Sequence, residues 1–210
     1  MEGVRKAYNG TPVLSIGRLE IPKGAQWVIT GQSGSGKTTF LNLVAGILTP
    51  DTGTVTVAGT PVNLLTEAKR DRFRAEKIGF VFQTFNLLQG FTALENILLG
   101  MLFAGKTDRA RAESLLDRVG LKDRVGYRPS ELSVGQQQRV AIARALANKP
   151  EIILADEPTG NLDPKTGESI IALLKEICLE GGETLVVVTH QPQVMRSFKD
   201  VTDLSCLSGP

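Results

Sequence analysis

Apolar runs alternate with amphipathic stretches along the chain, and this alternation predicts strands that are followed by helices. Three runs are almost entirely apolar, Trp27 to Thr30, Ile152 to Ala155 and Leu185 to Thr189, which is typical of parallel strands that are buried on both faces. A fourth strand is predicted over residues 78–83. Strands that alternate with helices favour an α/β fold with a mostly parallel sheet.

Two regions depart from that pattern. Val13 to Leu19 and the alternating stretch Thr54 to Val57 lie among turn-forming Gly, Pro and Asp residues, and they predict short antiparallel strands. From residue 92 to residue 148 the apolar spacing is helical, in three consecutive stretches. We therefore expect a single domain over residues 1–210 with a helical subdomain inserted at about residues 84–148.

The composition excludes some classes of protein. The net charge of +2 does not favour a nucleic-acid partner, since proteins that bind phosphate backbones usually carry a clustered basic face. The basic run from Lys69 to Arg74 is interrupted by Asp71 and predicts a solvated helix face. The sequence contains no run of 18 apolar residues, so we expect a soluble protein with at most a peripheral membrane role. Cys178 and Cys206 are far apart and are expected to be free thiols in a reducing compartment.

The most specific motif follows the first buried strand. The segment GQSGSGKTT fits the phosphate-loop pattern GxxxxGK[ST] and lies between a predicted strand and a predicted helix. Its glycines allow successive backbone N–H groups to point at phosphate oxygens, and the helix adds its positive end. Lys37 is expected to bridge the β- and γ-phosphates, and the Thr38 hydroxyl to bind Mg²⁺. The predicted nucleotide-binding residues are Gly31, Gln32, Ser33, Gly34, Ser35, Gly36, Lys37, Thr38 and Thr39.

Polar side chains follow the other apolar strands, where ligands gather in parallel sheets. Asp156 is expected to emerge beside the loop as a second Mg²⁺ ligand, and Glu157 to act as the general base on the attacking water. Gln83 ends the strand predicted over residues 78–83 and His190 follows the run Leu185 to Thr189, and the Gln83 amide could reach Mg²⁺ or the water. For His190 and Gln83 taken singly, an ordinary polar surface role stays open. The sequence holds one histidine, which excludes a multi-histidine metal site.

With this loop followed by LSVGQQQR (residues 132–139), LADEP (154–158), NLD (161–163) and His190, the chain resembles the nucleotide-binding subunits of ABC transporters over essentially its whole length. The resemblance implies a P-loop NTPase (RecA-like) core with an antiparallel β subdomain and an inserted α-helical subdomain. It also implies that ATP and Mg²⁺ bind and that ATP is hydrolysed to ADP and phosphate. The expected partners are a second copy or a paired nucleotide-binding subunit and an integral membrane transporter subunit, at the cytoplasmic face of the membrane.

The resemblance also assigns roles to individual residues. Tyr8 matches the aromatic residue that stacks on adenine, and Gln83 matches the lid glutamine, whose loop usually faces the membrane partner. Asp163 matches the acid at the dimer seam, and His190 the switch histidine that contacts the γ-phosphate. The signature residues, which in the family contact the γ-phosphate held by the opposite subunit, are Ser133, Gly135 and Gln136.

The signature segment also has a physical rationale of its own. Ser133 precedes an apolar helix, so we expect it to cap that helix, whose N-terminus favours an anion. Two positions depart from the family pattern, because Val134 replaces the first glycine of LSGGQ and Gln191 replaces the acid that commonly follows the histidine. We expect activity to survive Val134, since Gly135 is retained.

Several alternatives remain open at this point. The segments FNLLQGFTALENI and RPSELSVGQ resemble those of the lipoprotein-releasing, macrolide-exporting and cell-division ATPases. Importer ATPases for methionine and polar amino acids share much of the same sequence pattern. A P-loop small-molecule kinase would need a phosphoryl-acceptor site and an arginine-rich lid. A role on DNA or ribosomes is typical of relatives with tandem cassettes or long coiled-coil insertions, and neither occurs in this sequence.

Overall fold

The protein was analysed as a computed structural model that describes residues 1–32 and 34–207. Its strands are β1 (Glu2–Tyr8), β2 (Thr11–Arg18), β3 (Gln26–Thr30), β4 (Thr52–Thr54), β5 (Thr56–Val57), β6 (Thr60–Pro61), β7 (Ile78–Val81), β8 (Ile152–Asp156), β9 (Thr184–Val188) and β10 (Asp200–Asp203). Its α-helices are α1 (Lys37–Val44), α2 (Glu67–Lys77), α3 (Ala93–Leu102), α4 (Arg109–Arg118), α5 (Val134–Ala145), α6 (Pro164–Gly181) and α7 (Pro192–Arg196).

A parallel sheet in the order β10-β3-β9-β8-β7 forms the centre of the molecule. All five residues of β9 are buried, and its side chains alternate between the two faces of the sheet. Val187 packs into one core with residues of α5 and α6, and Val186 and Val188 pack into another with residues of α1. Helices therefore cover both faces, as the apolar strand runs predict.

An antiparallel sheet in the order β2-β1-β4 lies beside this core. Val4 of β1 and Ile16 of β2 are almost fully buried and share a core cluster with Phe40 of α1. A separate short hairpin is formed by β5 and β6. The prediction of short antiparallel strands near the N-terminus is confirmed.

The region between β7 and β8 holds the helices α3, α4 and α5. Thr92 and Glu95 form a reciprocal capping box at the start of α3, which satisfies backbone N–H groups that have no partner within the helix. Outside this region, α2 has no buried residue, which confirms the predicted solvated helix. Among the described residues, none of the helices combines the length and the hydrophobicity that a membrane crossing requires.

Some predicted boundaries were wrong. The strand predicted over residues 78–83 ends at Val81, because the chain turns there and reaches left-handed backbone angles at Phe85 and Asn86. The helix α1 ends at Val44, and Gly46 adopts a φ angle of +66° just beyond its C-cap. The strand β10 was not predicted, because it has two exposed and two half-buried residues and its sequence shows no apolar pattern.

The two cysteines should differ strongly in reactivity. Cys178 is buried, and burial raises the pKa of its thiol to about 12, whereas Cys206 is exposed. Because the thiolate is the nucleophile, iodoacetamide at pH 8 should alkylate Cys206 and leave Cys178 unmodified until the protein is unfolded. Mass spectrometry of tryptic peptides measures this, and equal labelling of both cysteines in the native protein would contradict the described burial.

Candidate functional site

The loop between β3 and α1 requires glycine at specific positions. Gly34 and Gly36 have φ angles of +80° and +87°, a region that other residues rarely adopt. A Cβ atom at Gly36 would lie 2.7 Å from the Val13 carbonyl oxygen, so the following helix can begin here only with glycine. Because α1 begins at Lys37, its first N–H groups face this loop. Ser33, which is also predicted to bind phosphate, lies outside the described residues.

Two polar groups of this loop are suited to a phosphate. Lys37 Nζ donates hydrogen bonds to the carbonyl oxygens of Gly31 and Gln32, both at 2.8 Å. The Ser35 hydroxyl is buried and has no hydrogen-bond partner among the described residues, which is costly unless a ligand supplies one. Phosphate oxygens are acceptors for an ammonium, a hydroxyl and the N–H groups of a helix start. The residues present therefore fit a bound nucleotide phosphate.

Asp156 ends β8 next to this loop. Burial raises the pKa of its carboxyl above the ordinary range, and the neighbouring Glu157 charge raises it further. A hydrogen bond from Thr38 and the Lys37 ammonium act in the opposite direction on this pKa. A hydroxyl beside a carboxylate offers the oxygen ligands that Mg²⁺ prefers, so Thr38 and Asp156 fit the predicted metal site.

Glu157 is held in an unusual conformation at the end of β8. Its φ angle is +43°, which is strained for a residue with a side chain. Its Oε2 accepts a hydrogen bond from Thr189 Oγ at 2.8 Å, and its Oε1 lies 3.1 Å from the His190 backbone N and 2.6 Å from His190 Nδ1. The side chain is 11% exposed. The ends of β8 and β9 thus aim a nearly buried carboxylate in a fixed direction.

His190 and Gln191 follow the end of β9. The His190 side chain is 69% exposed, although its Nδ1 contacts Glu157. Gln191 donates its backbone N–H to Thr189 Oγ at 3.1 Å, and its Oε1 accepts a hydrogen bond from Thr159 Oγ at 2.7 Å. The amide that replaces the usual acid at position 191 therefore ties the end of β9 to the loop that follows Glu157.

Gln83 lies beside the same loop, although it comes two residues after the end of β7. Its backbone carbonyl accepts a hydrogen bond from Asn161 Nδ2 at 2.9 Å. Its side chain packs on Gly160, where an added Cβ would lie 2.7 Å from Gln83 Nε2. The structure therefore brings Gln83 next to the segment that connects Glu157 to Asp163.

The signature segment begins α5. Ser133 is the N-cap and forms a capping box with Gln136, in which Ser133 Oγ accepts from Gln136 N at 3.3 Å and Gln136 Oε1 accepts from Ser133 N at 2.9 Å. The predicted capping role of Ser133 is confirmed. Val134 is 46% exposed, and a Cβ at Gly135 would lie 2.7 Å from Thr166 Cγ2. The segment thus presents an accessible helix start that packs closely on α6.

Asp163 and Tyr8 lie at the edges of the site. Asp163 caps α6, where its Oδ1 accepts a hydrogen bond from Thr166 N at 3.0 Å. Hydrogen bonds from the Thr166 side chain and backbone lower the pKa of the Asp163 carboxyl.

Tyr8 ends β1 and is 44% exposed, with Lys6 Nζ 5.8 Å from its ring centroid. Its adenine-stacking role stays a prediction.

Three buried polar residues around Glu157 were not predicted from the sequence. They are Gln138, Thr159 and Thr189. A signal existed for two of them, because Thr189 directly precedes His190 in an apolar strand and Gln138 lies on the apolar face of a helix. The contact between Thr159 and Gln191 could be seen only in the folded structure.

Comparison with known proteins identifies the family of this chain. The family model described as ABC transporter matches residues 14–160. The chain belongs to the ABC transporter family. It is an ATP-binding subunit of that family and an ATPase, with the P-loop NTPase fold that the sequence predicts. The small-molecule kinase alternative is therefore set aside.

Relatives of this ABC subunit are found in several bacteria. An uncharacterised ABC transporter ATP-binding protein of Thermotoga maritima is 51% identical over 180 residues, which are 84% of this chain and 76% of that protein. The lipoprotein-releasing system ATP-binding protein LolD of Shewanella sp. (strain MR-4) is 44% identical over 92% of this chain and 87% of its own length. The macrolide export ATP-binding/permease protein MacB of Rhodopirellula baltica is 46% identical over 91% of this chain and 29% of its own length. The subunit thus matches the predicted group.

A solved structure supports the same assignment. The dimeric structure of a post-hydrolysis state of the ATP-binding cassette MJ0796, bound to ADP and Pi, has a TM-score of 0.86 and 43% sequence identity to this subunit. The match covers 96% of this chain and 92% of that chain. The fold described above is therefore that of an ABC ATP-binding cassette.

Proposed function

We propose that this subunit binds Mg-ATP at two composite sites between paired cassettes and that closure of the pair moves a membrane-embedded partner. The observation that carries the proposal is the Glu157 carboxylate, which the ends of β8 and β9 hold beside Asp156. A fixed carboxylate next to a phosphate loop suits a general base on water.

Each residue of the loop has a defined task in this proposal. Lys37 leaves the carbonyl oxygens of Gly31 and Gln32 and donates instead to the β- and γ-phosphates. The hydroxyl of Ser35 and the N–H groups at the start of α1 serve further phosphate oxygens. Thr38 and Asp156 would hold Mg²⁺, with Gln83 as a further ligand, and such an ion would neutralise phosphate charge. At the edge of the site, Tyr8 stacks on adenine.

Glu157 and His190 exchange partners when ATP binds. In the described structure Oε1 of Glu157 is engaged by both the backbone N and Nδ1 of His190. The imidazole is largely exposed and is free to turn toward the γ-phosphate. Oε1 then accepts the proton of the attacking water, while Thr189 keeps Oε2 in place.

A second cassette completes the site. The first turn of α5 presents Ser133, Gly135 and Gln136 at an accessible helix start, where N–H groups and positive potential favour an anion. In the paired arrangement this turn contacts the γ-phosphate of the opposite subunit, and Asp163 lies at the interface between the two subunits. The dimeric arrangement of MJ0796 with ADP and Pi supports the pairing.

A groove between α2 and α3 suits the membrane partner. It has a volume of about 1040 Å³, with Phe82, Leu88 and Phe103 among its apolar lining. Arg72 and Arg74 at its polar side form ion pairs with Glu76 and Asp71. Phe103 is 79% exposed and Leu88 51% exposed, so two large apolar side chains of the groove are accessible to a partner. We propose that an apolar partner segment occupies this groove from the membrane side.

The similarity to LolD and MacB favours a partner of the lipoprotein-releasing or macrolide-exporting type over a solute importer, and a position at the cytoplasmic face of the membrane.

Recovery of the partner from native membranes tests the proposal. A tagged chain and its Phe103→Asp variant are expressed in the native cells, and detergent-solubilised membranes are purified through the tag. Leu179→Asp is the matched control, because Leu179 is 73% exposed on α6. We expect an integral membrane protein with the parent and the control, and at least tenfold less of it with Phe103→Asp, because a buried unpaired charge is costly. Equal recovery with all three chains would contradict the groove, and a solute-importer permease would contradict the subgroup.

A further inference from the structure

Gln138 is a buried amide in the middle of α5. Its side chain is fully buried, and its Nε2 donates a hydrogen bond to the Pro158 carbonyl oxygen at 2.8 Å. Its Oε1 is buried without a hydrogen-bond partner among the described residues. Nothing in the proposed chemistry of the site uses this residue.

The hydrogen bond from Gln138 to Pro158 connects two parts of the proposed site. At one end is the helix whose first turn carries Ser133 and Gly135. At the other end is Pro158, directly after Glu157. The carbonyl oxygen of Glu157 accepts from Gly160 N at 3.0 Å, so Pro158 lies in a tight turn. A shift of α5 therefore pulls on the peptide that follows the strained Glu157 backbone, where φ is +43°.

Packing alone does not account for an amide at this position. A methionine or leucine would fill a similar volume. Neither would bury an oxygen without a hydrogen-bond partner, as Gln138 does with its Oε1, and that burial is unfavourable. The group that distinguishes glutamine from these residues here is the Nε2 donor to Pro158. The residue is thus placed for this hydrogen bond.

We propose that Gln138 is a positioning residue that couples the orientation of Glu157 to the docking of its own signature helix on the nucleotide of the opposite subunit. This inference rests on the proposed function, in which α5 acts on the other site of the dimer. When the first turn of α5 engages the opposite γ-phosphate, Gln138 fixes the loop after Glu157. Each subunit then becomes ready to hydrolyse its own ATP only when its signature helix is engaged.

The Gln138→Met variant of the full chain tests this coupling. Gln26→Met is the matched control, because Gln26 Nε2 also donates to a backbone carbonyl oxygen, that of Lys175 at 2.8 Å, and lies at the start of β3, away from the signature segment. We expect kcat of Gln138→Met to fall about fivefold to tenfold, the value of one lost hydrogen bond in the transition state. The KM for ATP should change less than about twofold, and Gln26→Met should match the parent.

A second readout separates positioning from folding. A subunit that closes but hydrolyses slowly should accumulate as an ATP-bound dimer, so Gln138→Met in Mg-ATP should show more dimer by light scattering than the parent and Gln26→Met. The melting temperature should stay within a few degrees of the parent. Gln138→Leu should behave in the same way.

The alternative outcomes overturn the inference. A kcat within twofold of the parent shows that the hydrogen bond does not position Glu157. A loss of folding in both variants, or slow hydrolysis without accumulated dimer, assigns Gln138 a structural role. If Glu157→Gln itself forms no ATP-dependent dimer, the proposed function fails, whereas a trapped Glu157→Gln dimer beside an unaffected Gln138→Met removes this inference alone.

Discussion

Replacement of Glu157 with glutamine should lower the rate of ATP hydrolysis by about a hundredfold to ten-thousandfold, the range that a general base contributes. The amide keeps the size of the side chain and an oxygen that can still accept from Thr189 or His190, but it cannot take a proton from water. The measurement is release of inorganic phosphate from Mg-ATP in the absence of any phosphoryl acceptor, with nucleotide affinity measured in parallel.

The matched control is Glu176→Gln, which removes an exposed acid from α6. It should hydrolyse ATP at the parental rate. If Glu157→Gln retained more than about a tenth of the parental rate, Glu157 would not be the base, and the strained backbone at this position would need another explanation.

Replacement of Lys37 with methionine should weaken ATP binding by about tenfold to a hundredfold, since a hydrogen bond to a charged group contributes about 1.5–3 kcal/mol. In the described structure the ammonium bridges the carbonyl oxygens of Gly31 and Gln32, so it already lies within the loop. Methionine retains the apolar stem and loses the charge that pairs with the phosphates.

Titration calorimetry with Mg-ATP and the nucleotide-free subunit measures this affinity. Lys199→Met removes an exposed lysine and is expected to bind ATP as the parent does. Unchanged affinity in Lys37→Met would show that the loop holds phosphate by its backbone N–H groups alone.

Much of the fold and of the phosphate site could be predicted because the signals are local. The apolar runs that became β3, β8 and β9 are continuous, and the glycine-rich loop follows the first of them within a few residues. Strand ends meet at one edge of a parallel sheet, which is why Asp156 and Glu157 could be placed beside a loop more than 100 residues earlier in the chain.

The remaining features depend on tertiary contacts that no local pattern contains. The bond from Gln138 to Pro158 spans 20 residues and that from Thr189 to Glu157 spans 32. Gln83 was expected at a strand end, but its position is set by Asn161, which is 78 residues away. Buried polar side chains that position the catalytic residues appear in the sequence as single polar residues within apolar segments. Only the fold shows what each of them contacts.

The mass of Glu157→Gln in solution tests the central claim most directly. Light scattering during gel filtration is recorded for this variant without nucleotide, with Mg-ADP and with Mg-ATP. We expect about 22.6 kDa in the first two conditions and about twice this mass in Mg-ATP, because bound ATP that is not hydrolysed holds the two cassettes closed. A mass that stays at that of one chain in saturating Mg-ATP would contradict a composite site made by two subunits.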